Sequence, residues 1–346
     1  MFTAWAIFIG FVLLMLALDL GVFHRKSHVV GMKESLGWSA VWISLGLAFS
    51  VAVYFAYENH WFGLGLGRDP VDQLVNTGKL AATKYLTGYV VEKSLSVDNI
   101  FVIAMIFGSL AVPAQYQHRV LFWGILGALV MRGVMIGVGS ALVTNFHWVL
   151  YVFGAFLILT GLKMLFMKEK EEHPEDNVLV RMLKKRFPIT RDYHGKHFFV
   201  TGGHKTSDDP VISAAVAGKW LLTPLAIALV LVEVTDVIFA VDSIPAIFAI
   251  TADPFLVFTS NVFAILGLRS LYFALAGMIT KFRYLKPALS LILLVVGTKM
   301  LTAHWLKVWL GDSFNFVILG VIFALLAGGV VTSLVLTKED NANPSA

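Results

Sequence analysis

The sequence predicts an all-α, polytopic membrane protein of about nine transmembrane helices, and three observations predict it. Of 346 residues, 58% are hydrophobic and 14% charged, and the mean hydropathy is +0.79, outside the range of soluble globular chains. Apolar runs of roughly 20 residues, the length that a ~30 Å hydrocarbon slab demands, recur nine times. Lys and Arg gather in alternate connections between those runs, as cytoplasmic loops require. The formal net charge of +5 therefore reflects topology, and no nucleic-acid partner is expected.

The first run, Phe2 to Phe23, lacks a basic n-region and a small-residue cleavage site, so it reads as a retained helix. With the second, Gly37 to Tyr57, it forms an N-terminal two-helix extension over residues 1–85. Three spans follow in residues 86–167: Leu86 to Val112, Val120 to Val143 and Trp148 to Met167. Residues 168–219 mix both charges with prolines and glycines, which suits a partly ordered cytoplasmic loop without a core of its own. Its His194, His197, His204, Asp208 and Asp209 follow no metal-ligand spacing and read as solvated. A second trio occupies 220–303, with spans Trp220 to Ile250, Phe255 to Ile279 and Pro287 to Ala303. Residues 304–346 hold the ninth span, Phe314 to Leu336, and the tail TKEDNANPSA, which reads as disordered.

The loop after the first span carries Arg25, Lys26 and Lys33, that after the fifth is the long charged segment, and that after the seventh carries Lys281, Arg283 and Lys286. The loops after the fourth and sixth carry no Lys or Arg. This alternation expects the N-terminus outside and the C-terminus in the cytoplasm.

The two trios resemble each other. Setting Glu92 against Asp236 brings VDNI onto VDSI; GILGALVMR (from Gly124) then matches AILGLR (from Ala264), and GLKML (from Gly161) matches GTKML (from Gly297). An odd number of spans per unit reverses the next unit, so the expected architecture is an inverted repeat, as in many secondary transporters.

Five acids, Glu92, Asp98, Glu233, Asp236 and Asp242, fall in the first spans of the two units. Each ionised at the bilayer centre costs ~2.5–3.5 kcal/mol on insertion scales. Glu92, Ser96 and Asn99 share one helical stripe, and Asp236, Ala240 and Ser243 repeat its spacing, with Glu233 a turn earlier. Gly88 and Pro245 are expected to break the helices there, freeing carbonyls near Asp242. One reading pairs the acids with Lys93, Arg132, Arg269, Lys163 and Lys299. Lys163 and Lys299, near span ends, are expected to snorkel, and Asp19 is expected at the interface. The other reading makes Glu92, Asp98, Asn99, Glu233, Asp236 and Asp242 ligands of a hard cation such as Mn²⁺, Mg²⁺ or Ca²⁺; a proton path along the same acids is equally compatible. The chain has no cysteine, which excludes thiolate sites and thiol redox chemistry.

Other motifs say less. GLGLGRDP, from Gly63, reads as an outer loop without a phosphate-binding context. Asn145, Phe146 and His147 fill a short external turn, and Gly127, Gly133, Gly137 and Gly139 read as helix-packing positions.

The strings GYVVEKSLSVDNIFV, LVEVTDVIFAVDSIPAIFAIT and TSNVFAILGLRSLYF resemble the TerC family of bacterial integral membrane proteins over most of the chain. The resemblance implies a nine-span fold related to LysE-type exporters, tellurite resistance as a phenotype, and Mn²⁺ export linked to the five acids, with no permanently bound cofactor. Two function classes are carried forward. One is a divalent-cation exporter; the other is a membrane anchor whose loop 168–219 recruits tellurite-resistance partners, with structural acids. Direct extrusion of the tellurite oxyanion conflicts with five acids. Nothing in the sequence resembles a nucleophile and base pair or a cofactor fingerprint, so no enzyme is expected.

Overall fold

The computed structural model describes residues 1–21, 31–166, 182, 187–202, 211–212, 218–275, 285–310 and 314–342. Ten α-helices of eight residues or more follow one another among them: α1 Phe2–Gly21, α2 Met32–Glu58, α3 Gly78–Ser109, α4 Ala114–Asn145, α5 Val149–Phe166, α6 Pro224–Phe248, α7 Pro254–Leu266, α8 Leu268–Leu275, α9 Leu285–Leu310 and α10 Phe314–Ala342. Six described stretches are long and apolar enough to cross a membrane, namely α2, α4, α5, α6, α7 with α8, and Phe314–Ser333 of α10. Two shorter apolar stretches are Phe2–Leu18 and Pro287–Thr302.

Local chemistry sets the starts. Thr77 begins α3 by accepting the Leu80 N–H at 3.4 Å, and Thr223 begins α6 through the Ala226 N–H, with Pro224 at the first helical position. Asp253 caps α7 ahead of Pro254, accepting from the Phe255 N–H at 3.0 Å and the Leu256 N–H at 3.4 Å.

Several boundaries differ from those expected. α3 starts at Gly78, a full two turns before Leu86, because its first turns hold Lys79 and Lys84 and so escape an apolar count. The expected unit boundary at 85/86 therefore falls inside a helix, as does that at 303/304, inside α9. Trp220–Leu222 is a strand, β2, paired antiparallel with β1 (Phe199–Thr201), and only from Pro224 does the chain turn helical. The expected breaks at Gly88 and Pro245 do not occur. Both helices run through; at Pro245 only the Val241 carbonyl loses its donor, and α6 ends three residues later. The seventh span instead breaks at Gly267, between α7 and α8.

The connections gather at two ends. Gln73 meets His147 at 3.2 Å, and Asp69 accepts the Ala252 N–H at 3.0 Å, which brings together loop 59–77 and the α4–α5 and α6–α7 turns. At the opposite end Tyr193 donates to the Leu110 carbonyl at 2.7 Å, and Thr223 to the His197 carbonyl at 2.8 Å.

Packing is closest where side chains vanish. A Cβ on Gly297 of α9 would lie 2.9 Å from the Gly154 carbonyl oxygen of α5, and one on Gly154 would lie 3.2 Å from that of Gly297. α1 lies on α7 through aromatic contacts, Trp5 on Phe255 at 5.5 Å and Phe8 on Phe263 at 6.0 Å. Leu13, Leu14, Val130, Val134, Val138 and Leu159 stand exposed, as lipid-facing positions would.

Candidate functional site

Four helices meet on one guanidinium. Arg132, on α4, is 2% exposed. Its Nη1 donates to Glu92 Oε1 of α3, to Asn261 Oδ1 of α7 at 2.8 Å and to Ser243 Oγ of α6 at 3.4 Å. Its Nε and Nη2 donate side by side to Asp236 of α6, at 3.2 Å to Oδ2 and 3.0 Å to Oδ1. Such a fork fixes direction as well as charge. Two carboxylates against one guanidinium leave a formal charge of −1 if both are ionised. Among the described residues, Glu92 Oε2 and Asn99 Oδ1 are buried acceptors without a donor, and Asn261 Nδ2 is a buried donor without an acceptor. Each unpaired buried group costs ~1–3 kcal/mol, so these atoms mark a place not organised for stability alone.

The remaining expected ligands spread along the two helices. Asn99 follows Glu92 by seven residues, about 10.5 Å of helix, on the same buried stripe as Ser96. Glu233 is half-buried one turn before Asp236, with its carboxylate lying over Gly127 of α4. Asp242 is half-buried and accepts from Thr160 of α5 at 3.4 Å. Asp98 is half-buried beside Asn99. The structure thus brings Glu92 and Asp236 together on Arg132, keeps Glu233 one turn from Asp236 and within its electrostatic reach, and ties Asp242 to α5 through Thr160. Among the described residues no three His, Cys, Asp or Glu side chains converge closely enough to hold a metal ion.

The basic candidates divide as well. Arg132 is the partner of two acids; Arg269 is buried on α8; Lys163, exposed in the last turn of α5, lies within electrostatic reach of Asp242. Lys93 turns away from the acids and donates to the Ala264 carbonyl at 3.0 Å, one turn before the break at Gly267. Lys299 does not snorkel. It is 2% exposed, reaches Asn315 Oδ1 at 3.4 Å and lies over the Phe314 ring at 4.8 Å, because α10 closes over its end of α9. His194 and His197 lie in the small β region, the latter exposed. Asp19, His204, Asp208 and Asp209 lie outside the described side chains.

A second buried network, missed in the sequence, sits at the 59–77 end. Lys84 of α3 is fully buried, and its ammonium meets Asp69 at 2.8 Å, Asp72 at 2.9 Å and Asn76 at 2.7 Å. Asp69 also accepts from the Val71 and Ala252 amides, each at 3.0 Å, and from the Thr251 hydroxyl. Asp253, besides capping α7, accepts from Tyr57 at 2.8 Å and from Asn76 at 3.3 Å. Burial pushes the Asp69 carboxyl upward, but the Lys84 charge and the hydrogen bonds from Lys84, Thr251 and Val71 together hold it below the ordinary carboxylate value. Asp253 lies above that value, chiefly through burial, with the nearby Asp69 charge adding to it against the hydrogen bonds it accepts. The signal that could have found this network was Asp69 and Asp72 within fifteen residues of a lysine inside a helix; for Asn261 it was the polar triplet Thr259, Ser260, Asn261 inside an apolar span.

The family described as "Integral membrane protein TerC family" matches residues 77–341. The chain is 49% identical to "Uncharacterized membrane protein STKORF319" of Myxococcus xanthus, covering 97% of this chain and 93% of that protein. It is 44% identical to the protein named "Putative membrane-bound redox modulator Alx" of Escherichia coli (strain K12), covering 93% and 91%. An "Uncharacterized membrane protein" of Rickettsia bellii (strain RML369-C) is 36% identical over 96% and 97%. No solved structure matches.

Proposed function

The chain belongs to the TerC family of integral membrane proteins, and from that premise we propose that it is a nine-span transporter moving a divalent cation of the Mn²⁺ kind out across the plasma membrane. The observation that carries the reading is the buried meeting of Glu92 and Asp236 on Arg132, with Glu92 Oε2 unpaired beside it. Two carboxylates, an amide and a hydroxyl offer hard oxygen ligands, and no thiolate competes. Arg132 is then the cation's competitor. A metal ion entering between the carboxylates displaces the guanidinium, and its return on release keeps the acids compensated, so neither is left buried and unpaired.

An inverted repeat supports the same reading. Glu92 and Asp236, aligned by VDNI and VDSI, are the two acids that share Arg132, which is what two copies facing one central site would do. The aligned segments GLKML and GTKML lie on α5 and α9, which also pack against each other at Gly154 and Gly297. Nine spans and the distribution of Lys and Arg put the N-terminus and the 59–77 end outside, and the 187–223 end and C-terminus in the cytoplasm.

The name of the Escherichia coli relative suggests a redox role. A chain without cysteine cannot perform dithiol exchange itself, so any redox influence would be indirect, through metal supply. Tellurite resistance would likewise be an indirect consequence of metal homeostasis.

Uptake of radiolabelled Mn²⁺ into everted membrane vesicles, with and without a pH gradient, tests the proposal. Wild-type uptake that Glu92→Gln and Asp236→Asn abolish is the expected result. Uptake at background in the wild type, or unchanged in both variants, overturns it in favour of an anchor without transport.

A further inference from the structure

We infer that Lys84 is the latch of an outer gate, holding the path from the Arg132 site to the 59–77 end closed in this structure. The inference rests on the transport reading for its purpose, and on geometry for its content. Lys84 spends all three ammonium hydrogens on Asp69, Asp72 and Asn76, and none reaches water. Asp69 passes the connection on to the α6–α7 turn through Thr251 and Ala252.

The latch therefore fastens together the helices that carry the site. Lys84 lies eight residues before Glu92 on α3, about 12 Å along the helix. The Asp253 cap lies eight residues before Asn261 on α7, about the same rise. The Thr251 turn closes α6, which carries Asp236. Three of the four site helices, α3, α6 and α7, are thus tied at one end, with Lys84, Thr251 and Asp253 each eight residues from a partner of Arg132, namely Glu92, Ser243 and Asn261. Separating their ends requires Lys84 to leave its acids, a discrete two-state event of the kind alternating access needs. A buried ion pair is weak evidence for stability, since apolar residues of similar volume serve as well. Its value here is that it can be broken and remade.

Ser140 reports on the gate. It lies on α4, eight residues beyond Arg132 towards the same end, buried under the turn, with its hydroxyl 3.4 Å from the Ala252 carbonyl. Because the chain has no cysteine, Ser140→Cys gives a single, nearly isosteric thiol in the full-length protein. The experiment follows its labelling by a charged maleimide in lipid nanodiscs, where both faces meet the reagent. The expected result is slow labelling in the Ser140→Cys parent, at least about tenfold faster labelling with Lys84→Met added, and an intermediate rate with Thr251→Ala, which removes one bond to Asp69 and the one Thr251 accepts from the Asp253 N–H but leaves Lys84 on its acids. Thr251→Ala keeps the test decisive if Lys84→Met fails to fold. A parent labelled as fast as its variants, or variants as slow as the parent, overturns the latch. Mn²⁺ uptake measured on the same proteins separates the two claims. Transport with unchanged labelling removes the gate alone, whereas gated labelling without wild-type transport leaves the gate standing and removes the transport reading.

Discussion

Arg132 and Asp236 are joined by two side-by-side hydrogen bonds, Nε to Oδ2 at 3.2 Å and Nη2 to Oδ1 at 3.0 Å, which lock α4 to α6 in the interior of the protein. The fork holds an arginine that is 2% exposed against a carboxylate that is 12% exposed, so truncating either partner leaves the other's charge buried.

Arg132→Gln should therefore lower stability by about 3–5 kcal/mol, the usual penalty for stranding a buried charge. Arg132→Gln with Asp236→Asn should lose less than the two single losses combined, with a coupling of about 1–3 kcal/mol. Thermal midpoints of the detergent-solubilised proteins check this. Strictly additive losses would show that the pair is not coupled.

Asn261 contributes the acceptor on the opposite side of the guanidinium, 2.8 Å from Nη1. Asn261→Ala should keep the fold but free Arg132 to bind the acids more tightly, lowering Mn²⁺ uptake by about tenfold, the factor for 1.4 kcal/mol. Asn261→Asp adds a third carboxylate and should lower KM and kcat together, because the cation is held more strongly than it is released. Wild-type kinetics in both variants would remove Asn261 from the site.

How much of this was legible in the sequence depends on what each residue's signal was. The all-α, membrane-spanning character and the buried stripe through Glu92, Ser96 and Asn99 were legible because hydropathy and the 3.6-residue period are local properties. Arg132 as a deep partner was legible because an arginine in the middle of an apolar run needs an acid. Which acids it took was not, since Glu92 is 40 residues away and Asp236 is 104. Lys84 was lost for the opposite reason. Its charge lowered the local hydropathy and moved the expected helix start past it, so a residue that anchors a network fell outside the expected span. Pro245 misled because a proline near a helix end removes one hydrogen bond without breaking the helix.

The two aspartates at the 59–77 end should answer pH in opposite ways. Asp69 has a folded pKa below its unfolded one, so its contribution is fully present above the ordinary carboxylate range, about 3.9, and is lost as pH falls through the folded value. Asp253 has a folded pKa above its unfolded one, so its ionised form opposes folding at neutral pH, and that opposition fades as pH falls through the folded value. At pH 7 Asp69→Asn should destabilise by a few kcal/mol. Asp253→Asn, which can still cap α7 through Oδ1 and, with Nδ2 in place of Oδ2, donate to the Tyr57 hydroxyl instead of accepting from it, should be neutral or stabilising, with its difference from wild type shrinking towards acid. Thermal midpoints across pH 4–8 read both signs, and a destabilising Asp253→Asn at pH 7 would contradict the assignment.

Two glycines separate packing from function. A Cβ on Gly297 of α9 meets the backbone of α5 at two places, Gly154 O at 2.9 Å and Ile158 N at 3.1 Å. Backbone cannot swing aside, so Gly297→Ala must push the helices apart, and a loss of about 1–3 kcal/mol is expected from overpacking. The three atoms nearest a Cβ on Gly127 all belong to the carboxylate of Glu233, the far end of a flexible side chain. Gly127→Ala should therefore fold nearly as well as wild type while turning Glu233 out of the space beside α4, one turn from Asp236. If Glu233 is a station on the cation's path, Gly127→Ala lowers Mn²⁺ uptake at unchanged thermal stability, and Gly127→Ala with Glu233→Gln is no worse than Glu233→Gln alone. Normal uptake in Gly127→Ala would take Glu233 off the path and confine the chemistry to the helices that meet at Arg132.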